Sequence, residues 1–130
     1  MPGPFIFIAT NRLRDGRFDA EQQRVPELSG FIEANEPRLI AFNEYVNQDR
    51  SQVSVVQVHP DAASMEFHLG IVGDHARQAY AQTLAATTGI QAFGTPTEKI
   101  LRMLRQQAGS GVPVSISPLH LGGFTRAGDI

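Results

Sequence analysis

Residues 53–75 constrain the fold of this chain more than any other stretch. The segment begins with an apolar, β-branched run that stops at Pro60, and a helical pattern opened by Asp61 follows at once. The sequence therefore predicts a strand that leads directly into a helix. Three of the four histidines lie in this segment: His59, His68 and His75.

Two further patterns precede this segment. Residues 5–10 form a continuous apolar run, which predicts an interior strand covered on both faces. An amphipathic helical pattern begins at Asp19, the expected N-cap, and ends at Glu36-Pro37. Since Pro26 lies inside this pattern, we expect a kinked helix or two consecutive helices.

Residues 38–46 and 52–59 are β-like runs on either side of a polar turn, and we expect an antiparallel hairpin. With a turn centred near Asp49, Asn43 and Tyr45 would share one face with Gln57 and His59. Burial of polar side chains without partners is costly. This face therefore predicts either a ligand pocket or a dimer interface.

The rest of the chain alternates between helical and β-like patterns. We expect helices at 62–69 and 74–87, a strand at 90–94, a helix that opens at residues 95–98 and runs through Gln107, and an edge strand at 112–117. Gly89 is the expected stop of the second helix. Residues 120–126 would form a short strand or an arm that contacts a second subunit.

The order β, helix, β, β, helix, β predicts an α+β fold with a ferredoxin-like antiparallel sheet and helices on one face. A chain of 130 residues fits a single domain. We expect its core at residues 4–94 and a C-terminal extension with a further helix and strand at 95–130.

Composition narrows the classes of partner. The net charge is −2 and the eleven basic residues form no cluster, so neither nucleic acid nor a membrane surface is an expected partner. The sequence contains no cysteine, and its first apolar run is too short for a signal peptide or a membrane span. We therefore predict a cytoplasmic protein.

Residues 5–93 resemble the dimeric α+β barrel superfamily, especially its antibiotic-biosynthesis-monooxygenase-like branch. The matching features are the helix that ends in Glu36-Pro37, Tyr45 in the hairpin, the strand at 53–58 and His68 in the following helix. The resemblance implies a homodimer whose two sheets form a barrel, with a pocket between each sheet and its helices. It also implies cofactor-independent, monooxygenase-like chemistry on an apolar or aromatic substrate.

Two features depart from the family pattern. The chain has no Trp, whereas the haem-degrading members of this group use a Trp to distort the porphyrin. Haem oxygenation is therefore not expected. The strand at 52–59 ends in His59-Pro60-Asp61, where the monooxygenases more often carry a Glu and an aromatic residue.

His59 and His68 are the predicted catalytic residues. His59 ends a strand beside Asp61, where a proton acceptor could face a cleft. In the alternative interpretation His59 bonds the backbone, Asp61 only caps the helix, and His68 is a buried pocket wall. The histidine spacing matches no compact metal motif, so we predict no metal site. We expect His75 to be solvated.

Asn11 and Arg12, at the end of the first strand, are candidates for binding a polar or anionic ligand group. The other predicted substrate-binding residues are Asn43, Tyr45, Gln57 and Asp61. Two functions remain open. The protein is either a small-molecule-binding barrel with monooxygenase-like activity, or a ligand-binding or structural dimer without catalysis.

Overall fold

The computed structural model describes residues 3–126. Within this range no helix is long and apolar enough to cross a membrane. The elements in chain order are β1 (Phe5–Leu13), α1 (Phe18–Asn35), β2 (Ala41–Val46), β3 (Gln52–His59), α2 (Ala62–Gln82), β4 (Leu84–Phe93), α3 (Glu98–Ala108) and β5 (Val114–Ser117).

The five strands form one sheet in the order β2-β3-β1-β4-β5. All neighbouring strands are antiparallel except β4 and β5, which are parallel. The apolar strand β1 lies at the centre, as its sequence predicts. The α+β, ferredoxin-like arrangement is thereby confirmed.

Alternate residues of β1 and β4 point toward the helices and form the main core. Phe5, Phe7 and Ala9 of β1 are buried against residues of α2 and α3. Burial of each large apolar side chain contributes about 1.5–3 kcal/mol. The remaining members of this cluster are Ile90, Ala92, Met65, Ile100, Leu104 and Ala108.

Helix α1 is a single helix with Pro26 inside it. Its N-cap position is Arg17 without a side-chain cap, so the expectation that Asp19 caps the helix is wrong. Asp19 lies in the first turn, where a carboxylate interacts favourably with the helix dipole. The predicted end before Glu36-Pro37 is confirmed.

Helix α2 is continuous over 21 residues, which corrects the expectation of two helices at 62–69 and 74–87. Met65, His68 and Ala79 are buried on one face of this helix. The helix runs without a break through Gly70 and Gly73. Each glycine costs about 1 kcal/mol of helix propensity. Packing of the continuous face against the sheet offsets this cost.

Strand β4 begins at Leu84, earlier than the predicted strand at 90–94. It pairs with β1 from Leu84 opposite Leu13 to Phe93 opposite Ile6. Gly89, expected to stop a helix, lies inside the strand opposite Thr10. The helical expectation for residues 83–87 is wrong because pairing with the central strand outweighs local propensity.

The hairpin of β2 and β3 forms, but its register differs by one residue from the prediction. Phe42 pairs with Gln57, and Tyr45 pairs with Ser54. The turn closes between Asn47 and Gln52, where the Gln52 carbonyl accepts from the Asn47 backbone N–H at 3.0 Å. The turn is therefore centred between Asp49 and Arg50, close to the expected position, but the resulting shift of one residue in register moves each side chain of β2 to the other face.

The segment after β4 forms α3, which packs against the sheet, and β5, which joins the sheet. Ile100 and Leu104 anchor α3 in the main core, and β5 extends the sheet beside β4 as the predicted edge strand. Residues 118–126 contain no helix or strand, so the short strand considered for residues 120–126 does not form.

Candidate active site

A cavity of about 730 Å³ lies between the sheet and helices α1 and α2. Its volume is in the range of small-molecule sites. Ala9 lies in the middle of the floor, between Val55 and Ile90 on the neighbouring strands, and its small side chain leaves room above the sheet. The walls are mostly apolar and include Phe7, Val55, Leu28, Ile32, Leu69 and Val72.

His68 of α2 lines this cavity and is held by Glu36, the residue that follows α1. The Nδ1 atom of His68 donates to the Glu36 carboxylate, at 2.8 Å from Oε2 and 3.0 Å from Oε1. The Nε2 atom has no hydrogen-bond partner among residues 3–126, where every sealed polar side-chain atom is paired. Nε2 is therefore open toward the cavity and able to accept a proton.

His59 is completely buried and does not line the cavity. Its Nδ1 atom lies 2.8 Å from the Ser64 hydroxyl, and its Nε2 atom lies 2.9 Å from the Gln57 carbonyl oxygen. Burial and the nearby imidazole of His68 lower the pKa of His59 to about 3, so its ring is neutral at physiological pH. His59 therefore reaches the cavity only through its contact with Gln57, and its catalytic role stays a prediction.

Gln57 presents its amide group to the cavity floor. Its carbonyl oxygen contacts His59, and its NH₂ group has no partner in the part of the chain that the structure describes. An amide held in this way can donate a hydrogen bond to a ligand oxygen.

A second polar group, formed around Asn11, lies at another position of the cavity wall. The Asn11 carbonyl oxygen accepts from the Tyr80 hydroxyl at 2.6 Å and from the Thr87 hydroxyl at 2.8 Å. The Gln107 amide in turn donates to the Tyr80 oxygen at 3.1 Å. Asn11 is buried, and its NH₂ group has no partner among residues 3–126.

A buried acidic pair forms a third polar region. Glu21 accepts from Arg24 at 2.7 and 2.8 Å and from the Thr83 hydroxyl at 2.7 Å. Glu44, whose side chain is 5% exposed, lines the cavity with one oxygen 4.0 Å from Arg24. The structure therefore holds two carboxyl groups beside one guanidinium.

The pKa values of these two carboxyl groups are shifted in opposite directions. Burial and the neighbouring Glu21 raise the pKa of Glu44 to about 9. Burial also acts to raise the pKa of Glu21, but the hydrogen bonds from Arg24 and Thr83, together with the neighbouring Glu44, lower it to about 2. At neutral pH Glu44 therefore carries a proton and Glu21 is ionised, which leaves this wall of the cavity without excess charge.

Four predicted binding residues do not line the cavity, and Asp61 is one of them. Asn43 and Tyr45 are exposed on the opposite face of the sheet, because the hairpin register differs from the expected one. Arg12 is also exposed, since neighbouring residues of a strand point to opposite faces and Asn11 points inward. The expectation that Asn43 and Tyr45 share one face with Gln57 and His59 is wrong.

Asp61 acts as the N-cap of α2, as its position predicts. Its carboxylate accepts from the Ser64 backbone N–H at 2.9 Å and forms an ion pair with Arg38. The Ser64 N–H and the Arg38 guanidinium hold the pKa of Asp61 below its usual range. Its role as a substrate-binding residue stays a prediction.

The histidines of residues 3–126 do not belong to a cluster of metal-ligating side chains. The rings of His59 and His68 lie 5.7 Å apart between centroids, and no group of three or more metal-ligating side chains occurs within residues 3–126. His75 lies in the middle of α2, half-buried against the Phe31 ring. The expectation of a solvated residue in the first turn of a helix is wrong, because 62–82 form one helix.

Four residues at or beside the cavity are not among the site residues predicted from the sequence: Glu36, Glu44, Tyr80 and Gln107. Glu36 was recognised only as a helix end, although a carboxylate before Pro37 was a visible signal. Glu44 alternates with Phe42 and Val46 in an apolar pattern, which could have identified a buried acid. The contacts of Tyr80 and Gln107 left no local signal, because they depend on the packing of α2 and α3 against the sheet.

Similar solved structures share this fold. MupZ from Pseudomonas fluorescens aligns over 95% of this chain and 95% of its own, with a TM-score of 0.70 and 14% identity. An antibiotic biosynthesis monooxygenase aligns over 72% of this chain and 99% of its own, with a TM-score of 0.60 and 17% identity. A protein from Chloroflexus aurantiacus J-10-fl, described as an antibiotic biosynthesis monooxygenase, aligns over 73% and 94%, with a TM-score of 0.56 and 14% identity.

The fold is that of the antibiotic-biosynthesis-monooxygenase-like proteins. At these identities the likeness concerns the fold alone. No protein-family model matches the sequence, and a search of curated proteins gives no match.

Proposed function

We propose that this protein binds a small, largely apolar or aromatic molecule in the cavity and oxygenates it without a cofactor. The observation that carries this proposal is the His68 imidazole. One of its nitrogen atoms is fixed by a buried carboxylate at 2.8 Å, and the other is open to an apolar cavity. This is the arrangement of a general base held in one orientation.

The chemistry requires a substrate with a weakly acidic C–H or O–H bond, such as an enolisable polycyclic ketone. His68 Nε2 removes the proton, and the Gln57 amide donates a hydrogen bond to the oxygen on which negative charge develops. The electron-rich anion transfers electrons to dioxygen and forms a C–O bond to it. Loss of water from the resulting peroxide converts the CH₂ group to a carbonyl.

The apolar walls have two effects on this reaction. They exclude water from the anion, and they provide most of the binding free energy through burial of apolar surface. The protonated Glu44 keeps the wall near Val55 uncharged at neutral pH, which favours an apolar ligand.

A homodimer forms part of the proposal. The sheet face opposite the helices carries Ile6, Ile8, Val56 and Val58, all partly buried, and has no covering layer within residues 3–126. A second copy packed on this face would bury it and enclose a barrel. A cytoplasmic location is also part of the proposal. It is supported by the sequence, which contains no cysteine and so needs no oxidising compartment to form disulfides.

Anthrone, an enolisable tricyclic ketone, provides a direct test. Its conversion to anthraquinone consumes one dioxygen and releases one water. We expect the purified protein, treated with a metal chelator, to accelerate oxygen consumption and to bind anthraquinone saturably. If the protein neither accelerates oxygen consumption nor binds anthraquinone saturably, the proposal is contradicted.

A second function is ligand binding without catalysis. It is favoured by the observation that many polar groups at the cavity are hydrogen-bonded to one another, as are Asn11, Tyr80 and Thr87. Saturable binding of anthraquinone with no acceleration of anthrone oxidation would support this function over the first.

A further inference from the structure

Helix α3, which belongs to the C-terminal extension, forms part of the cavity wall. Met103, Gln106 and Gln107 line the cavity. Ile100 and Leu104 on the same helix are fully buried in the main core. The position of the wall residues is therefore fixed by the packing of the fold.

Gln107 controls the direction of the hydrogen bonds around Asn11. The Gln107 NH₂ group donates to the Tyr80 oxygen at 3.1 Å, so the Tyr80 proton is directed to its other neighbours, the Asn11 carbonyl oxygen at 2.6 Å and the Thr87 oxygen at 2.7 Å. The Thr87 hydroxyl donates to the Asn11 carbonyl oxygen. With its carbonyl oxygen occupied, Asn11 can offer only N–H groups to a ligand.

The Asn11 amide is placed to donate a hydrogen bond to a ligand. Asn11 is 3% exposed, yet its NH₂ group has no partner among the residues that the structure describes. It lies four residues along β1 from Phe7, the partner of Gln57. At about 3.3 Å per residue the Cα atoms of Asn11 and Phe7 are separated by about 13 Å, so Asn11 and Gln57 would contact different positions along a polycyclic ligand.

We propose that Gln107 is a specificity-determining positioning residue, through which Asn11 selects ligands that carry an acceptor oxygen at the end remote from His68. The acceptor is a carbonyl or phenolate oxygen. The inference rests on the proposed ligand-binding function and adds the chemistry of a second contact to it. Met103 and Gln106 form the adjoining wall.

The test compares the binding of two tricyclic probes by isothermal titration calorimetry. Anthraquinone lacks a terminal oxygen, whereas ionised 2-hydroxyanthraquinone carries one that can only accept. We expect the wild-type protein to bind the ionised probe about fivefold or more tightly than anthraquinone, as one added hydrogen bond allows. Gln107→Leu should abolish this preference, so that the two probes bind with similar Kd values.

Two further variants make the result specific. Gln107→Glu accepts from Tyr80 instead of donating to it, so it should remove the preference at least as completely as Gln107→Leu. The exposed Arg102 on the same helix provides the control, and Arg102→Ala should keep the preference. Thermal melts of each variant check that the fold is retained.

The outcomes separate the two proposals. A preference retained in Gln107→Leu and Gln107→Glu, or absent from the wild-type protein while anthraquinone still binds, would overturn this inference and leave the proposed function standing. A wild-type protein that binds neither probe would overturn both.

Discussion

The Nδ1 atom of His68 lies 2.8 Å from the Oε2 atom of Glu36, and both side chains are buried. The pair joins α2 to the end of α1 above the cavity. Because the imidazole is fixed through Nδ1, its Nε2 atom is held toward the cavity in one orientation. This relationship, more than the mere presence of histidines, defines the candidate active site.

Glu36→Gln should separate orientation from charge. The glutamine keeps an oxygen that can accept from Nδ1, but it removes the negative charge that stabilises a protonated His68. We expect kcat for anthrone oxidation to fall by about a hundredfold with little change in KM. Steady-state oxygen-electrode kinetics measure both values, and an unchanged kcat would show that Glu36 is only structural.

Glu44→Gln should change the pH dependence of stability. The folded-state pKa of Glu44 is about 9 and its ordinary value is 4.5, so the folded state retains a proton that the unfolded state loses. The resulting stabilisation is present below pH 4.5 and is lost as pH rises through about 9. Relative to Glu44→Gln, the wild-type free energy of unfolding should decrease over this range.

The slope of that decrease should not exceed about 1.4 kcal/mol per pH unit for one proton. Urea unfolding of both proteins from pH 5 to 9 measures it. Parallel curves for wild type and variant would mean that Glu44 is ionised in the folded state.

His59→Gln should change stability at the acidic end. The folded-state pKa of His59 is about 3 and its ordinary value is 6.5, so the unfolded state binds a proton that the folded state excludes. The stabilisation from the neutral ring is present above pH 6.5 and is lost as pH falls toward 3. The wild-type protein should therefore lose more stability than the variant between pH 6.5 and 4, as measured by urea unfolding.

Two observations would bear on this prediction for His59. Loss of its hydrogen bonds to Ser64 and Gln57 should cost about 1–3 kcal/mol at pH 7. If the free energy of unfolding of wild type and variant changes in the same way with pH, the His59 ring is protonated as readily in the folded as in the unfolded state, which contradicts the prediction.

Ile8→Arg should disrupt the proposed dimer. Ile8 opposes Val56 on the sheet face away from the helices, and a buried unpaired charge is strongly unfavourable there. Light scattering should give twice the chain mass for the wild-type protein and one chain mass for Ile8→Arg. Gln78→Arg, a charge added at an exposed position of α2, should remain dimeric. A monomeric wild-type protein would contradict the dimer.

Much of the fold could be predicted because its signals are local. The apolar run of β1, the Asp61 cap and the end of α1 at Glu36-Pro37 each depend on a few neighbouring residues. The single helix α2 and the early start of β4 could not, because both depend on packing against the central strand. Propensity in residues 70–88 is compatible with either helix or strand.

The candidate site shows the same division. Gln57 was predicted because a polar residue interrupts an apolar strand, Asn11 because it ends the first strand, and His68 because of the family resemblance. Their geometry was not predicted, since the register of the hairpin depends on the conformation of the turn between Asn47 and Gln52. The partners Glu36 and Gln107 come from distant parts of the chain, and only the folded structure places them at the cavity.

The most direct test of the account is the effect of His68→Gln on turnover and on ligand binding. Gln78→Ala, an exposed change on the same helix, is the control. If His68 is the base, kcat for anthrone oxidation should fall by about a hundredfold or more, while the Kd for anthraquinone changes by less than about threefold. A wild-type rate in His68→Gln would contradict the account.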